Sequence, residues 1–452
     1  MIQLDALGPD GAYRTRNRLP LTDVSGRPLG EMSLVPPLFV DRALAALGDA
    51  KPLVVDDRVA ALARAGDRFA AGTIGGLTPG DYHLAVSRLS GLPIATVRTA
   101  SQAIAAGAHA AYNAALSGMP AGAVADWRDP RTRRGSAVWT RRADVLAVLA
   151  AGNHPAVHVL WLQAVALGFK VAVRPSQREP ITPHRLVSAL LESGFRDVQL
   201  LPCGHEVADR LIDSSDLSVV YGGDDVIRKY ANRASTLPQG PGRSKLLLTQ
   251  DADWPACLDA VVRSISGEGG TACLNATAVY VEGDPAPVAA AIAERLAELP
   301  SLPPEDEKAV LPVQPAAAAS AIEKYLLDRS GDARAWLGGD GIADDLGDGS
   351  AVLRPAVFQV TSPDAPQTGI ELPFPCLWVA PWSPGDGVRP LRNTLVLNAY
   401  THDQSLIERL IEEPTIGNVY IGDHPTVRPG PGMPHDSYFT DFLMRAKSVI
   451  RT

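Results

Sequence analysis

Cysteine is scarce in this chain. The four cysteines among 452 residues are widely scattered, without the Cys-x-x-Cys or Cys/His spacing of metal sites; they are Cys203, Cys257, Cys273 and Cys376. We therefore expect neither a disulfide framework nor a bound metal. Free thiols persist in reducing compartments, so a cytoplasmic location is expected.

An excess of basic residues and long apolar runs are also lacking. Lys and Arg number 42 against 50 Asp and Glu, which gives a formal net charge of -8. This balance argues against a general nucleic-acid binder, whose surface would be basic. No apolar run reaches about 18 residues, and residues 1–5 do not start a basic segment followed by an apolar one. We expect neither a membrane span nor a signal peptide.

The chain does have length and ordinary hydrophobicity. With 452 residues, 46% of them hydrophobic, it exceeds the size of a single core, so two or more domains are expected. Helical periodicity covers residues 56–70 and 81–115, the second stretch broken at Gly91. Residues 127–142 are typical of a polar turn before an exposed strand or hairpin, with a solvated charged loop as the alternative.

Strands alternate with helices from residue 144 onward. Predicted strands at 145–149, 170–173, 198–201 and 217–221 are separated by predicted helices at 156–167, 183–193 and 205–211. This alternation predicts a parallel sheet with right-handed crossovers, whose ligand crevice lies at the carboxyl ends of the strands. After a polar connector at 236–243, a second alternating region has predicted strands at 246–248, 278–281, 310–313 and 377–380.

Cys273 follows a glycine-rich stretch, residues 266–272, and precedes the strand-like run 276–281. A thiol between a flexible loop and a rigid strand is well presented as a nucleophile. The alternative for Cys273 alone is a buried core cysteine, which behaves as a small hydrophobe.

Three turns follow predicted strands and carry further candidates. Asn153 can aim a side-chain amide into the crevice as an oxyanion donor, or cap the next helix. The segments 174–180 and 222–225 are strand-to-helix turns where arginine and backbone amides can bind phosphate or ribose, although each is also compatible with an ordinary turn.

In this order the segments resemble the aldehyde dehydrogenase superfamily, from about residue 56 to the C-terminus. Asn153 stands in the place of the family's oxyanion asparagine, and Cys273 in that of its nucleophile. Arg174-Pro175-Ser176-Gln177 resembles its Lys-Pro-Ser-Glu motif and Gly222-Gly223 its Gly-Ser turn. Glu371-Leu372-Pro373-Phe374-Pro375 resembles Glu-x-Phe-Gly-Pro, whose glutamate holds the nicotinamide ribose, and residues 393–408 resemble a late strand-and-helix segment.

The resemblance implies an α/β fold with two Rossmann-like parallel-sheet domains and a small oligomerisation hairpin. Residues 1–123 and 144–241 would form the dinucleotide-binding domain, and 242–423 the catalytic domain. Residues 124–143 and 424–452 would be oligomerisation segments of a homodimer or homotetramer, the second including 431–436 and the amphipathic 438–450. The cofactor-binding residues it implies are Arg174, Ser176, Gln177, Gly222, Gly223, Glu371 and Phe374.

Two departures from the family pattern affect the predicted chemistry. Gln239 stands where members that hydrolyse their acyl-enzyme carry a glutamate, and an amide cannot accept a proton from water as a carboxylate does. Glu268 is a candidate substitute or a solvated loop residue. Gln177 replaces a glutamate that bonds the adenosine ribose in NAD-preferring members; with Arg174 and Arg178 nearby, NADP is expected to be accepted as well as NAD.

The resemblance therefore implies an NAD(P)-dependent oxidoreductase that forms a thiohemiacetal or thioester on Cys273. The missing carboxylate at Gln239 favours an acylating enzyme that converts an acyl thioester to an aldehyde, with coenzyme A as the candidate thiol. The alternatives are a hydrolytic aldehyde dehydrogenase and, from another class, a non-catalytic binding or assembly protein. The substrate itself is not indicated.

Overall fold

The computed structural model describes residues 1–428, 430 and 432–452, so Pro431 of the predicted closing segment lies outside the described residues. Within them the chain builds two seven-stranded sheets, one from each of the predicted alternating regions, and three smaller sheets. The two alternating patterns thus form parallel sheets, as predicted.

The first sheet has five parallel strands followed by an antiparallel pair from the N-terminus. In spatial order the strands are Thr236–Gln239, Leu217–Tyr221, Val145–Leu149, Lys170–Arg174, Val198–Leu200, Ala6–Gly8 and Gly11–Tyr13. The connector predicted at 236–243 therefore begins with an edge strand. Pro238 in that strand is compatible with an edge position, because proline has no backbone N–H and is tolerated where that position faces away from the neighbouring strand.

The second sheet is parallel except for one edge strand. In spatial order the strands are Arg334–Leu337, Ala356–Gln359, Cys376–Trp382, Ala276–Glu282, Ser244–Leu248, Thr394–Tyr400 and Ile416–Ile421. The strand predicted at 310–313 is Val313–Pro315 and belongs to a small separate sheet with Ser350–Leu353 and Ala343–Asp345.

Helices cover both sheets, and four of them lie between the N-terminal strands and the strand Ser136–Arg141. The helices are Pro37–Asp49, Val55–Ala71, Pro79–Ser90, Ile94–Leu116, His158–Ala166, Ile181–Glu192, His205–Asp213, Asp224–Tyr230, Leu258–Ser266, Ala286–Ala297, Ala316–Ser330, Gln404–Glu412 and Phe439–Leu443. Gly91 ends the third of them in a left-handed conformation (φ 74°), which explains the predicted break.

The chain closes with a strand that the amphipathic pattern of 438–450 did not show. Met444–Val449 pairs antiparallel with Ser136–Arg141, and the short helix Phe439–Leu443 precedes it. The strand predicted at the end of 127–142 is therefore present. A third small sheet joins Ile2–Leu4, Pro28–Ser33 and Arg18–Thr22 near the N-terminus.

Alternate residues of each central strand enter different cores. In the first sheet, Leu146 and Val148 pack on one face while Ala147 and Leu149 pack on the other. In the second, Leu246 and Leu248 lie opposite Leu247. Both faces of each sheet are covered, so these strands are continuously apolar rather than alternating, as expected of buried parallel sheets.

Candidate active site

The site lies where the carboxyl ends of the first sheet meet the starts of strands in the second. Asn153 and Gln239 are at or just beyond strand ends of the first sheet. Cys273 and Glu371 precede the second-sheet strands Ala276–Glu282 and Cys376–Trp382. This agrees with the crevice expected at the carboxyl edge of a parallel sheet.

Glycines shape the loop that carries Cys273. After the helix Leu258–Ser266 the chain turns through left-handed conformations at Glu268 (φ 54°), Gly269 (φ 71°) and Gly270 (φ 67°). A Cβ on Gly270 would lie 2.5 Å from the Pro375 backbone nitrogen. Only glycine fits there, because both the backbone angle and the space exclude a side chain.

The backbone of Cys273 is clamped from the neighbouring strand. A Cβ on Gly242 would lie 1.8 Å from the Cys273 carbonyl oxygen. The same oxygen accepts a hydrogen bond from Ser244 Oγ at 3.1 Å. The main chain that carries the half-buried thiol is therefore held against residues 242–244.

The Cys273 thiol has a histidine partner that the sequence did not indicate. Its Sγ lies 3.3 Å from Nε2 of His435, whose Nδ1 is 3.6 Å from Oδ1 of Asp436. The buried Gln239 amide donates a hydrogen bond to Oδ2 of Asp436 at 3.2 Å. Gln239, predicted as a catalytic position, is thus connected to Cys273 through Asp436 and His435.

The electrostatics of this group favour charge on the imidazole. Burial alone would lower the pKa of His435, but the Asp436 carboxylate and the Cys273 sulfur outweigh it and hold that pKa above its ordinary value. Burial would raise the pKa of Asp436, yet the neighbouring His435 holds it low. Burial also raises the pKa of Tyr221, beside Cys273 and Asp436, so this phenol stays protonated.

Asn153 is brought to the cysteine loop, as its predicted role requires. Its Nδ2 donates to the Thr271 carbonyl oxygen at 2.9 Å, two residues before Cys273. The amide nitrogen carries two hydrogens, so one can hold the loop while the other is available to an oxyanion.

The next residue, His154, binds the second candidate base. Its Nδ1 accepts from the Ala156 backbone N–H at 3.2 Å, which places the ring proton on Nε2. Nε2 lies 3.1 Å from Oε2 of Glu268. Glu268, which lies on the cysteine loop, is therefore held by a buried histidine and is not simply solvated.

Three of the predicted cofactor residues, Arg174, Ser176 and Gln177, lie at the end of the strand Lys170–Arg174 or just beyond it. Arg174 is buried, its Nε donates to the Cys203 carbonyl oxygen at 3.2 Å, and its Nη2 has no hydrogen-bond partner among the described residues. Ser176 Oγ accepts from the Arg178 backbone N–H at 3.2 Å and lies against Gly152, where a Cβ would be 2.3 Å from that oxygen. Gln177 is half-buried.

Arg243 organises the other predicted cofactor residues. Its backbone N–H donates to Oε2 of Glu371 at 2.7 Å, and its guanidinium binds both carboxylate oxygens of Asp224 at 2.7 and 2.8 Å. Asp224 begins a helix directly after Gly222 and Gly223. Burial raises the pKa of Glu371, although the Arg243 N–H opposes this.

Phe374 has a different environment from the other predicted cofactor residues. Its ring is only 2% exposed and packs in the core of the second sheet. Its assignment as a cofactor contact stays a prediction.

These residues fit a phosphate-bearing nicotinamide cofactor. Nη2 of Arg174 is a buried guanidinium nitrogen that has no hydrogen-bond partner among the described residues, so it can donate to an anion such as a phosphate. The tight turn at Gly222, where a Cβ would lie 2.5 Å from the Val226 side chain, lets backbone approach a ligand closely.

The comparison with known families gives the relationship of the chain as a whole. The model named "Aldehyde dehydrogenase family" matches residues 85–436. The chain belongs to the aldehyde dehydrogenase family. The match confirms the resemblance and the enzyme class predicted from the motifs, an NAD(P)-dependent aldehyde dehydrogenase-like oxidoreductase.

Individual aldehyde dehydrogenases resemble the chain most clearly in structure. Malonate-semialdehyde dehydrogenase 2 of Bacillus mycoides is 24% identical over 151 residues, so the match spans 31% of each protein. The 1-pyrroline-5-carboxylate dehydrogenase of Thermus thermophilus superposes with a TM-score of 0.81 at 19% identity, covering 99% of this chain and 92% of that one. An indole-3-acetaldehyde dehydrogenase solved with NAD+ has a TM-score of 0.83 at 17% identity, covering 99% and 96%. The aldehyde dehydrogenase fold is therefore confirmed.

Two further structural observations concern metals and membranes. In the part of the chain that the structure describes, no group of three or more His, Cys, Asp or Glu side chains is placed to hold a metal ion. Among the same residues, no helix combines the length and apolar character needed to cross a bilayer.

Proposed function

We propose that this aldehyde dehydrogenase interconverts an aldehyde and an acyl thioester through a covalent intermediate on Cys273. The observation that carries the proposal is the hydrogen bond from the buried Gln239 amide to Asp436. The position that bears the water-activating carboxylate in hydrolytic relatives holds a donor instead, committed to another residue. A thiol needs less activation than water, because its pKa lies far lower.

Each residue of the site has a role in this reaction. Cys273 attacks the carbonyl carbon, while the Asn153 amide and the Cys273 backbone N–H stabilise the oxyanion. Coenzyme A or another thiol then takes the acyl group and displaces the Cys273 thiolate. The clamp from Gly242 and Ser244 keeps Cys273 fixed while the acyl group is bound to it.

Arg174, Ser176, Gln177, Gly222, Gly223 and Glu371 would hold the nicotinamide cofactor, with Phe374 behind them. When bound, the cofactor supplies or accepts the hydride. We infer a preference for NADP over NAD, because Gln177 presents no carboxylate to a 2'-phosphate and Arg174 has an unpartnered buried nitrogen.

One observation favours the hydrolytic alternative. Glu268 is held by His154 at 3.1 Å on the same loop as Cys273, so a carboxylate is present near the site even though Gln239 is not one. A water activated by Glu268 would release a carboxylic acid instead of a thioester.

The acceptor test separates the two outcomes. Purified protein is incubated with an aldehyde panel that includes malonate semialdehyde, named for the relative's substrate, and with NADP or NAD, with and without coenzyme A. The proposal predicts NAD(P)H formation that depends on the thiol. Thiol-independent NAD(P)H formation would support hydrolysis, and Glu268→Gln should then remove it while Gln239→Leu should not.

The domain organisation, the oligomeric state and the cellular location of the protein are also proposed. We infer the domain division given above, with residues 124–143 and 424–452 making contacts in a homodimer or homotetramer. The antiparallel pairing of Ser136–Arg141 with Met444–Val449 supports a single oligomerisation unit, built as a two-stranded sheet rather than as a hairpin. A cytoplasmic location is supported by the free thiol that the reaction needs. A non-catalytic role predicts unchanged behaviour of Cys273→Ala, whereas an enzyme loses turnover.

A further inference from the structure

We propose that His435 is a catalytic acid–base residue for Cys273 and that Asp436 positions its imidazole, with Gln239 fixing the Asp436 carboxylate. The inference rests on the proposed role of Cys273 as nucleophile, but not on whether a thiol or water accepts the acyl group.

The geometry gives each ring nitrogen of His435 a separate task. Nε2 lies 3.3 Å from the Cys273 sulfur, within the range of a hydrogen bond to sulfur. Nδ1 is buried from solvent and has no hydrogen-bond partner among the described residues, and it lies 3.6 Å from Oδ1 of Asp436. Catalytic hydrogen bonds are often this long before substrate binds. A proton on Nδ1 facing Asp436 leaves the Nε2 lone pair toward the thiol.

The imidazole is not needed to hold its own segment in place. The Asn418 side-chain amide donates to the carbonyl oxygen of His435 and, at 3.1 Å, to that of Leu395. Asn418 lies in the strand Ile416–Ile421, so the main chain at His435 is anchored to the second sheet. A substitution that removes only the ring keeps this anchor, and the ring is therefore available for chemistry.

Cys273 and Asp436 are the titratable groups that the structure places against the imidazole. The phenol of Tyr221, which lies beside both Cys273 and Asp436, stays neutral because burial raises its pKa. The charge balance is therefore set by one carboxylate, one imidazole and one thiol. The 3.3 Å contact allows a proton to pass directly between the thiol and the imidazole, the arrangement found in other cysteine nucleophiles that have a histidine neighbour.

The step balances without an oxidant. The S–H bond of Cys273 breaks and its proton moves to Nε2 of His435. The thiolate sulfur forms a C–S bond with the carbonyl carbon of an acyl thioester, and the π pair moves to oxygen. Collapse of this adduct breaks the bond to the leaving thiolate, which takes the proton from the His435 imidazolium. The result is an acyl group on Cys273 and a free thiol.

Alkylation of Cys273 by iodoacetamide tests this inference without substrate or cofactor. The full-length wild type, His435→Gln, His435→Asn and Asp436→Asn are treated at several pH values, and adducts at each cysteine are measured by peptide mass spectrometry. At about pH 6.5 we expect Cys273 to react about 10-fold slower in both His435 variants, with the rates converging near about pH 9.5. The alkylation rate of Cys273 in Asp436→Asn should lie between that of the wild type and those of the His435 variants. A further variant, Asp436→Glu, should recover part of the wild-type rate. Cys257, half-buried and at the start of the helix Leu258–Ser266 rather than on the cysteine loop, is the internal control and should not change.

An unchanged Cys273 profile in both folded His435 variants would overturn the inference. So would an equal loss of reactivity at every pH, because a structural effect does not depend on the thiol's ionisation. The proposed function fails separately: thiol-dependent turnover can be absent while the alkylation profile still shifts. Circular dichroism of each variant establishes that the fold is retained.

Discussion

The Sγ of Cys273 lies 3.3 Å from Nε2 of His435, although the two residues are 162 positions apart in the chain. The contact joins the loop before a central strand of the second sheet to a segment that follows its edge strand. It gives Cys273, the proposed nucleophile, a titratable neighbour, and it connects Cys273 through Asp436 to Gln239.

Asn153→Ala should lower turnover about 100-fold to 1,000-fold, because one donor to the oxyanion is lost. Iodoacetamide forms no oxyanion, so alkylation of Cys273 should keep its rate. Steady-state kinetics and alkylation are measured on the same preparation. Equal losses in both would show that Asn153 acts by holding the Thr271 carbonyl and not by binding the oxyanion.

Gly242→Ala should displace the cysteine loop. The new Cβ would lie 1.8 Å from the Cys273 carbonyl oxygen, and the backbone on both sides cannot yield cheaply. We expect a loss of about 2 kcal/mol or more in the free energy of unfolding, together with loss of turnover. Gly48→Ala is the matched control. Gly48 lies in the helix Pro37–Asp49, and no neighbouring atom lies within 4 Å of the Cβ that the substitution adds. Similar behaviour of the two variants in chemical unfolding would contradict the clamp.

Gln177→Glu should shift the cofactor preference toward NAD. A carboxylate there repels a 2'-phosphate and accepts a hydrogen bond from a ribose hydroxyl. We expect the ratio of kcat/KM for NADP to that for NAD to fall about 10-fold or more. An unchanged ratio would mean that Gln177 does not face the adenosine ribose.

Glu179→Gln should change how stability depends on pH. Burial raises the pKa of Glu179 from its ordinary value of 4.5 to about 7, so the folded state holds a proton that the unfolded state releases. Wild-type stability from this group is present at low pH and is lost as pH rises from about 4.5 to about 7, by on the order of 3 kcal/mol. Gln keeps an acceptor for the Thr182 N–H, at 2.9 Å in the wild type, and does not ionise.

Urea unfolding of both proteins at about pH 3.5 and about pH 8, each about one unit outside this window, measures that effect. The variant should gain stability relative to wild type at the higher pH. A constant difference across the range would show that Glu179 is already ionised in the folded protein.

The parallel sheets were predictable because their strands are buried on both faces. Strands such as Val145–Leu149 and Leu217–Tyr221 are short apolar runs between helices, which a local pattern detects. Met444–Val449 was not detected, because only Met444 is fully buried in it. That strand is specified by pairing with Ser136–Arg141, about 300 residues earlier, and long-range pairing leaves little local signal.

Candidate site residues could be named from the sequence where family motifs are local. Asn153, Gln239 and Cys273 were identified in that way, and the structure brings Asn153 to the cysteine loop. His435 and Asp436 were missed, because their meaning depends on a distant loop folding against them. The only local signal was a His-Asp pair in a glycine- and proline-rich segment, which is typical of an ordinary turn.

Acyl transfer to Cys273 in the absence of any nicotinamide cofactor tests the central claim most directly. Wild type and Cys273→Ser are mixed with acetyl-CoA and with malonyl-CoA, and the protein mass and the released coenzyme A are measured together. The account predicts an acyl adduct on Cys273 and an equal amount of free coenzyme A in the wild type, and neither in the variant. An adduct that persists in Cys273→Ser, or no adduct and no release in the folded wild type, would contradict it.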